Sequence, residues 1–179
     1  MEIKIPFYNV LNMFLTGFVF LGGIAVLFMR YVANVLECTL VTDISAGSEV
    51  VFVVCAFAIA YEIGLIINRI GSVVLEPLLK VARLIPFDDD YIKFNKQQKK
   101  YPIMSTLSRE YALSRTCVVL FLLLSIAALF SETKLLAIPF TLIAIVYFFS
   151  SKKHAEKIVK LMAEPESETE GISDNIANQ

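Results

Sequence analysis

A glutamate within a long apolar run is the residue of this sequence that is best placed to do chemistry. Glu62 follows the uncharged stretch Val50 to Tyr61 and precedes Asn68 and Arg69. A carboxylate at the centre of a membrane helix costs about 2.5–3.5 kcal/mol on insertion scales, so such a group is paired, protonated or in contact with water. The chemistry open to Glu62 is therefore proton or cation binding, or an ion pair between helices.

Charged residues continue from Glu62 at a spacing of seven. Glu62, Arg69 and Glu76 fall on nearly one face of a helix. We expect Glu62 to pair with Arg115, and Arg69 with Glu110, as two rungs between the second and third membrane helices. Such a ladder either lines a pore or gate, or fixes the register of two helices. The predicted intramembrane polar seam consists of Glu62, Asn68, Arg69, Arg109, Glu110 and Arg115.

A basic stretch with interleaved aromatic residues precedes the third apolar run. Each lysine near a membrane surface contributes on the order of 1 kcal/mol to contact with anionic headgroups. The same stretch suits the docking of a cytoplasmic protein, whereas four lysines beside a membrane are weak support for nucleic-acid binding. The predicted partner or lipid contacts are Tyr91, Lys93, Phe94, Lys96, Lys99, Lys100 and Tyr101.

Other catalytic and metal-binding patterns are missing from the sequence. His154 is the single histidine, which excludes a multi-histidine metal site within one chain. No G-x-S-x-G surrounds a serine, and neither phosphate-binding glycine motif occurs. We therefore expect no enzyme, no metal and no cofactor.

The elements that carry these residues are predicted from the apolar runs. The chain is 57% hydrophobic and 18% charged, against about 45–50% and about 25% in an ordinary soluble domain. The runs predict an all-α integral membrane protein with four spans, and a helical cytoplasmic segment between spans two and three. The predicted spans are residues 8–30, 50–71, 112–131 and 135–151, the cytoplasmic segment is 72–111, and an acidic disordered tail, 163–179, follows the 1–162 membrane domain.

Small residues within the spans predict where helices approach each other. Glycine in a membrane helix lets a neighbouring backbone come close. Cys55 and Cys117 lie in apolar runs, where we expect small packing residues. The glycines predicted to serve helix packing are Gly17, Gly22, Gly23, Gly64 and Gly71.

The distribution of basic residues predicts the orientation. Fourteen of the sixteen Lys and Arg residues fall in the N-terminal flank, the segment between spans two and three, and the C-terminal flank. Only Arg30 and Lys134 fall on the opposite side. The positive-inside rule then places both termini and the central segment in the cytoplasm, as in a bacterial inner membrane protein.

The layout differs from that of the small multidrug transporters, whose essential carboxylate lies in the first span, whereas Glu62 lies in the second. Four spans, a charged cytoplasmic segment with Ser108-Arg109-Glu110 and Ser114-Arg115, and the lack of catalytic residues are similar to the four-span membrane subunits of bacterial antiphage systems such as Kiwa. That resemblance implies work with a cytoplasmic partner protein.

Two functions follow as expectations. The first is a non-enzymatic membrane component that forms homo-oligomers in the lipid bilayer and couples to a cytoplasmic partner, as a membrane sensor or membrane-disrupting effector in antiviral defence. The alternative is a small ion channel or proton-coupled transporter that uses Glu62.

Overall fold

A computed structural model describes residues 7–29, 31–34, 46–84 and 91–163, without the side chains of 46–49, 91 and 92. The predicted acidic tail therefore lies outside the described residues, except for Ala163. The described chain folds into helices and their connections. These are α1 (Phe7–Leu27), α2 (Ala46–Ile70), a π-helical turn (Gly71–Leu75), α3 (Glu76–Val81), α4 (Tyr91–Lys100), α5 (Ile103–Phe130), a 3₁₀ turn (Lys134–Leu136) and α6 (Ala137–Ala163).

Four helical segments are long and apolar enough to cross a membrane. They are Phe7–Leu27, Val50–Val81, Ile103–Phe130 and Lys134–Ala163. Each exceeds the roughly 20 residues that a hydrocarbon core of about 30 Å requires. The prediction of an all-α chain with four helices of spanning length is confirmed.

The second, third and fourth spanning helices are longer than the predicted spans. The second continues through the π-helical turn to Val81, and α5 begins at Ile103, nine residues before the predicted start at 112. The reason is tertiary packing, because Met104, Leu107 and Tyr111 in the first turns of α5 are buried. In the described part of the predicted cytoplasmic segment 72–111, residues 72–81 and 103–111 extend the long helices, and α4 is a separate helix.

The four long helices form two antiparallel hairpins that meet at α5. Helix α1 packs along α2, and α5 packs along α6, while α5 also contacts α1 and α2. In the most apolar 18-residue stretch of α5, 56% is buried, against 17% in the corresponding stretch of each of the other three spanning segments. Helix α5 is thus the centre of the bundle, and much of α1, α2 and α6 faces outward.

Two glycines permit the close crossing of α1 and α2. A Cβ atom on Gly17 would overlap the carbonyl oxygen of Ala60, and one on Gly64 would overlap that of Met13. Phe14 stacks on Phe57 beside this crossing, with ring centroids 5.0 Å apart. The hairpin is therefore held by backbone contact of the kind that small residues allow in membranes.

Buried apolar side chains form two clusters at different levels of the bundle. One cluster joins α3, α4, α5 and α6 at the end of the molecule that carries most of the lysines. It contains Leu79, Met104, Leu107, Tyr111, Ala155, Ile158 and Met162. The other lies among the spanning segments and contains Leu27, Ile67, Val119, Leu120, Leu124, Ala128 and Ala137. Helix α4 is thus attached to the membrane helices through a small core of its own.

Candidate functional site

The predicted ladder between spans two and three does not form. The Arg115 guanidinium donates to the Glu76 carboxylate, not to Glu62. The same guanidinium lies 5.6 Å from the centre of the Tyr111 ring, and Lys80 Nζ lies 3.5 Å from Glu76 Oε1. Arg115 therefore ties α5 to α3, just beyond the π-helical turn.

The π-helical turn is the physical reason that this prediction is wrong. A regular α-helix would keep Glu62, Arg69 and Glu76 on one face. The wider turn at Gly71–Leu75 changes the rotation of every residue after it, so Glu76 turns inward while Glu62 and Arg69 stay outside. At Gly71 an added Cβ atom would make ordinary van der Waals contact with Arg115, 3.4 Å from Nε.

The second predicted rung, between Arg69 and Glu110, is also absent. Glu110 Oε2 lies 3.3 Å from His154 Nδ1, which joins α5 to α6. Arg109 donates from Nε and Nη2 to the carbonyl oxygen and the hydroxyl of Ser105, one turn back on its own helix. Asn68 is the member of the predicted seam that reaches α5, because its Oδ1 accepts a hydrogen bond of 2.9 Å from Thr116.

Glu62 and Arg69 are exposed on the outer face of α2. Within the described parts of the chain, neither side chain forms an ion pair or a side-chain hydrogen bond. Ala60, two residues before Glu62, faces Gly17 at the middle of α1. Glu62 therefore lies close to the middle of the spanning segments. Arg69 is about 10 Å further along the axis, at a rise of about 1.5 Å per residue.

The outer face of α2 repeats every seven residues. Phe52, Ile59, Ile66 and Val73 form an exposed apolar stripe, with 53–70% of each residue accessible. Cys55, Glu62 and Arg69 form a second exposed stripe three positions away. Two stripes offset by three in a repeat of seven match the a and d positions of a coiled-coil seam. We call this surface the heptad face; the expectation that Cys55 packs inside the bundle does not hold in this chain.

A polar cavity of about 230 Å³ opens between α1, α2 and α5. Its polar lining residues are Asn9, Asn12, Thr16, Asn68, Ser108, Arg109 and Thr116. Sequence reasoning found Asn68 and Arg109 but missed the residues of α1. A signal was available, because Asn9, Asn12 and Thr16 are spaced three and four residues apart in an apolar helix and so share one face.

The predicted packing glycines differ in their surroundings. Gly17 and Gly64 lie at the α1–α2 crossing, and Gly71 faces Arg115. A Cβ atom on Gly23 would meet only the side-chain end of Leu124, 2.7 Å away, and one on Gly22 would meet nothing within 4 Å. Two of the five, Gly17 and Gly64, thus lie where a neighbouring backbone approaches too closely for a side chain.

Helix α4 exposes its lysines, and Lys100 Nζ lies 5.3 Å from the centre of the Tyr101 ring, just after the helix. Lys93, Lys96, Lys99 and Lys100 are exposed. Phe94 and Tyr101 pack against the core that holds α4, although both were predicted as contacts for a partner or lipid. The Tyr91 side chain lies outside the described residues. Helix α4 therefore presents a lysine surface and is attached to the core through Phe94, with Tyr101 following it.

No group of three His, Cys, Asp or Glu side chains that could hold a metal ion occurs in the described part of the chain. The arrangement instead offers an unpaired carboxylate at mid-span, an arginine-centred link near the end of a spanning segment, and a polar cavity. No family model, no curated protein and no solved structure matches this chain.

Proposed function

We propose that this chain is a non-enzymatic membrane protein that self-associates through the heptad face of α2 and couples to a cytoplasmic partner. The observation that carries the proposal is the position of Glu62. Its carboxylate lies near mid-span, points away from the bundle and has no partner in the described residues. In a single subunit this group would face lipid.

The energetics favour a second copy of the chain on this face. A lipid-facing carboxylate at the centre costs about 2.5–3.5 kcal/mol on insertion scales, and association that brings it to water, or to a second carboxyl group with which it shares a proton, lowers that cost. In parallel copies Glu62 meets Glu62, because Arg69 lies about 10 Å further along the axis. The neighbouring stripe from Phe52 to Val73 supplies apolar side chains at the spacing of a helix–helix seam.

The lysines of α4 support the coupling to a partner. The positive-inside rule places them in the cytoplasm, beside the lysines at the end of α6, in an orientation that suits a bacterial inner membrane. A partner with an acidic surface suits this patch, and so does contact with anionic headgroups. A sensor or effector of antiviral defence is the biological role that the layout suggests.

The mass of the protein extracted into nanodiscs, measured by native mass spectrometry, tests self-association. We expect a defined oligomer for the natural sequence. Glu62→Leu should raise the monomer fraction, because the apolar residue is stable against lipid and apolar contact alone gives little drive for association in a membrane. A monomer for the natural sequence would contradict the proposal.

A cation- or proton-conducting pore is the second candidate, favoured by the same carboxylate. Parallel copies around one axis place every Glu62 at one height, and rings of acidic side chains select cations. In liposomes, Glu62→Gln should then abolish cation flux or its pH dependence. Glu156→Gln, which changes an exposed carboxylate near the end of α6, should leave flux intact. Equal flux through Glu62→Gln and the natural sequence would exclude this candidate.

A further inference from the structure

We propose that the polar cavity between α1, α2 and α5 binds a phosphate-bearing group, supplied by a phospholipid headgroup at the membrane surface. The proposal rests on the donors, charge and size of this cavity, and it does not depend on self-association or on a cytoplasmic partner. Neither the ion pair of Arg115 nor the heptad face contributes a residue to it.

Hydrogen-bond donors dominate the cavity wall. Arg109 uses Nε and Nη2 on Ser105, which leaves three of the five N–H groups of a guanidinium for other acceptors. Asn9 and Asn12 also line the cavity, and their carboxamides form no hydrogen bond with any described residue. Each amide adds two N–H groups to the wall.

The hydroxyl groups deeper in the cavity are already engaged. Thr16 donates to the carbonyl oxygen of Asn12 at 2.7 Å. The single proton of the Thr116 hydroxyl is shared between the carbonyl oxygen of Ala112 at 2.8 Å and the Asn68 amide at 2.9 Å. A cavity with spare N–H groups, one cation and no acidic lining residue fits an acceptor-only anion.

One acidic residue, Glu110, lies next to Arg109 in the sequence but does not line this cavity. A neighbouring hollow is lined by Tyr8, Thr106, Arg109 and Glu110. Glu110 is engaged with His154 of α6, 3.3 Å away. Arg109 is thus the charged residue that both hollows share, and it is the cation of the polar cavity between α1, α2 and α5.

The size and position of the cavity favour a lipid headgroup as the source of the phosphate. A volume of about 230 Å³ is smaller than the roughly 300–1,000 Å³ of pockets for drug-sized ligands, so it suits a headgroup better than a whole metabolite. Asn9 lies in the first turn of α1, whereas Thr16 lies near its middle. The cavity therefore runs from the level at which α1 enters the membrane toward mid-span, where a lipid phosphate is at hand.

Binding of phosphatidic acid to the delipidated full-length protein, followed by native mass spectrometry, tests this proposal. Diacylglycerol with identical acyl chains is the matched ligand that lacks the phosphate. We expect one phosphatidic acid per subunit, and at least tenfold weaker binding in both Arg109→Gln and Asn12→Asp. The second variant keeps the size of the side chain but places a carboxylate against the phosphate.

Lys157→Gln is the matched control, because it removes an exposed cation of α6 outside the cavity; it should bind as the natural sequence does. Equal binding of diacylglycerol, or unchanged binding in both cavity variants, would overturn the proposal. Competition with inorganic phosphate distinguishes a lipid headgroup from free phosphate as the source of the bound group. Failure of millimolar phosphate to displace the lipid supports a lipid site, whereas displacement that requires Arg109 shows a phosphate site filled from solution.

Discussion

Arg115 is the only buried charged residue of the described chain, with 9% of its surface exposed. A long apolar run follows it in the sequence, so a cation at this point of α5 needs an anion nearby. The pairing with Glu76 rather than Glu62 shows that spacing along one helix does not decide which acid an arginine reaches. The local backbone, here the π-helical turn, decides which side chain turns inward.

Removing either partner of this ion pair should destabilise the protein. We expect Glu76→Gln to lower the free energy of unfolding by about 2–3 kcal/mol, because it leaves the buried Arg115 without an anion. Arg115→Gln should cost less, because Glu76 keeps Lys80 at 3.5 Å. The double variant should lose less than the sum of the two. Unfolding in detergent micelles, combined as a double-mutant cycle, measures this coupling.

Lys80→Gln is the control for that cycle. Lys80 contacts the same carboxylate at 3.5 Å but its side chain is 27% exposed, so the change should cost less than about 1 kcal/mol. Additive losses in the double variant would show that the Arg115–Glu76 pair does not hold α5 to α3.

Helix α2 shows which parts of the fold could be predicted from the sequence. Its apolar length and its flanking charges predict a spanning helix, and that prediction is confirmed. The face of α2 that packs against α1 could not be predicted, because apolar residues lie all around the helix. Every residue from Val50 to Ile59 is exposed in the structure. Which face meets α1 is decided by Gly17 and Gly64, whose contact across the two helices has no pattern within either helix alone.

Two glycines on α1 provide a paired test of that crossing. Gly17→Ala should destabilise the α1–α2 hairpin by at least about 2 kcal/mol, because the methyl group would overlap the Ala60 backbone, which cannot move aside as a side chain does. Gly22→Ala meets nothing within 4 Å and should be neutral or stabilise by up to about 1 kcal/mol through helix propensity. Thermal unfolding in detergent compares the two. Equal melting temperatures would contradict the close crossing.

The outer surface of the whole molecule differs from helix to helix, because the helices are buried to different extents. Helix α5 is covered by its neighbours, while α2 turns Phe52, Ile59, Ile66 and Val73 outward together with Glu62. The α5–α6 hairpin also exposes apolar residues, but its described mid-span carries no charged side chain. The spacing of Asn9, Asn12 and Thr16 and the seven-residue repeat of α2 are visible in the sequence. The cavity itself could not be predicted, since it forms only where α1, α2 and α5 meet.

The most direct test of self-association through α2 is oxidative cross-linking of native Cys55 in intact membranes. In a Cys38→Ser, Cys117→Ser background, the account predicts a disulfide-linked dimer, because Cys55 lies one repeat before Glu62 on the heptad face. The same background with Cys55→Ser and Leu142→Cys carries an equally lipid-accessible thiol on α6 and should stay monomeric on the gel. A dimer through Leu142→Cys but not through Cys55 would contradict the account and place the subunit contact on the opposite hairpin.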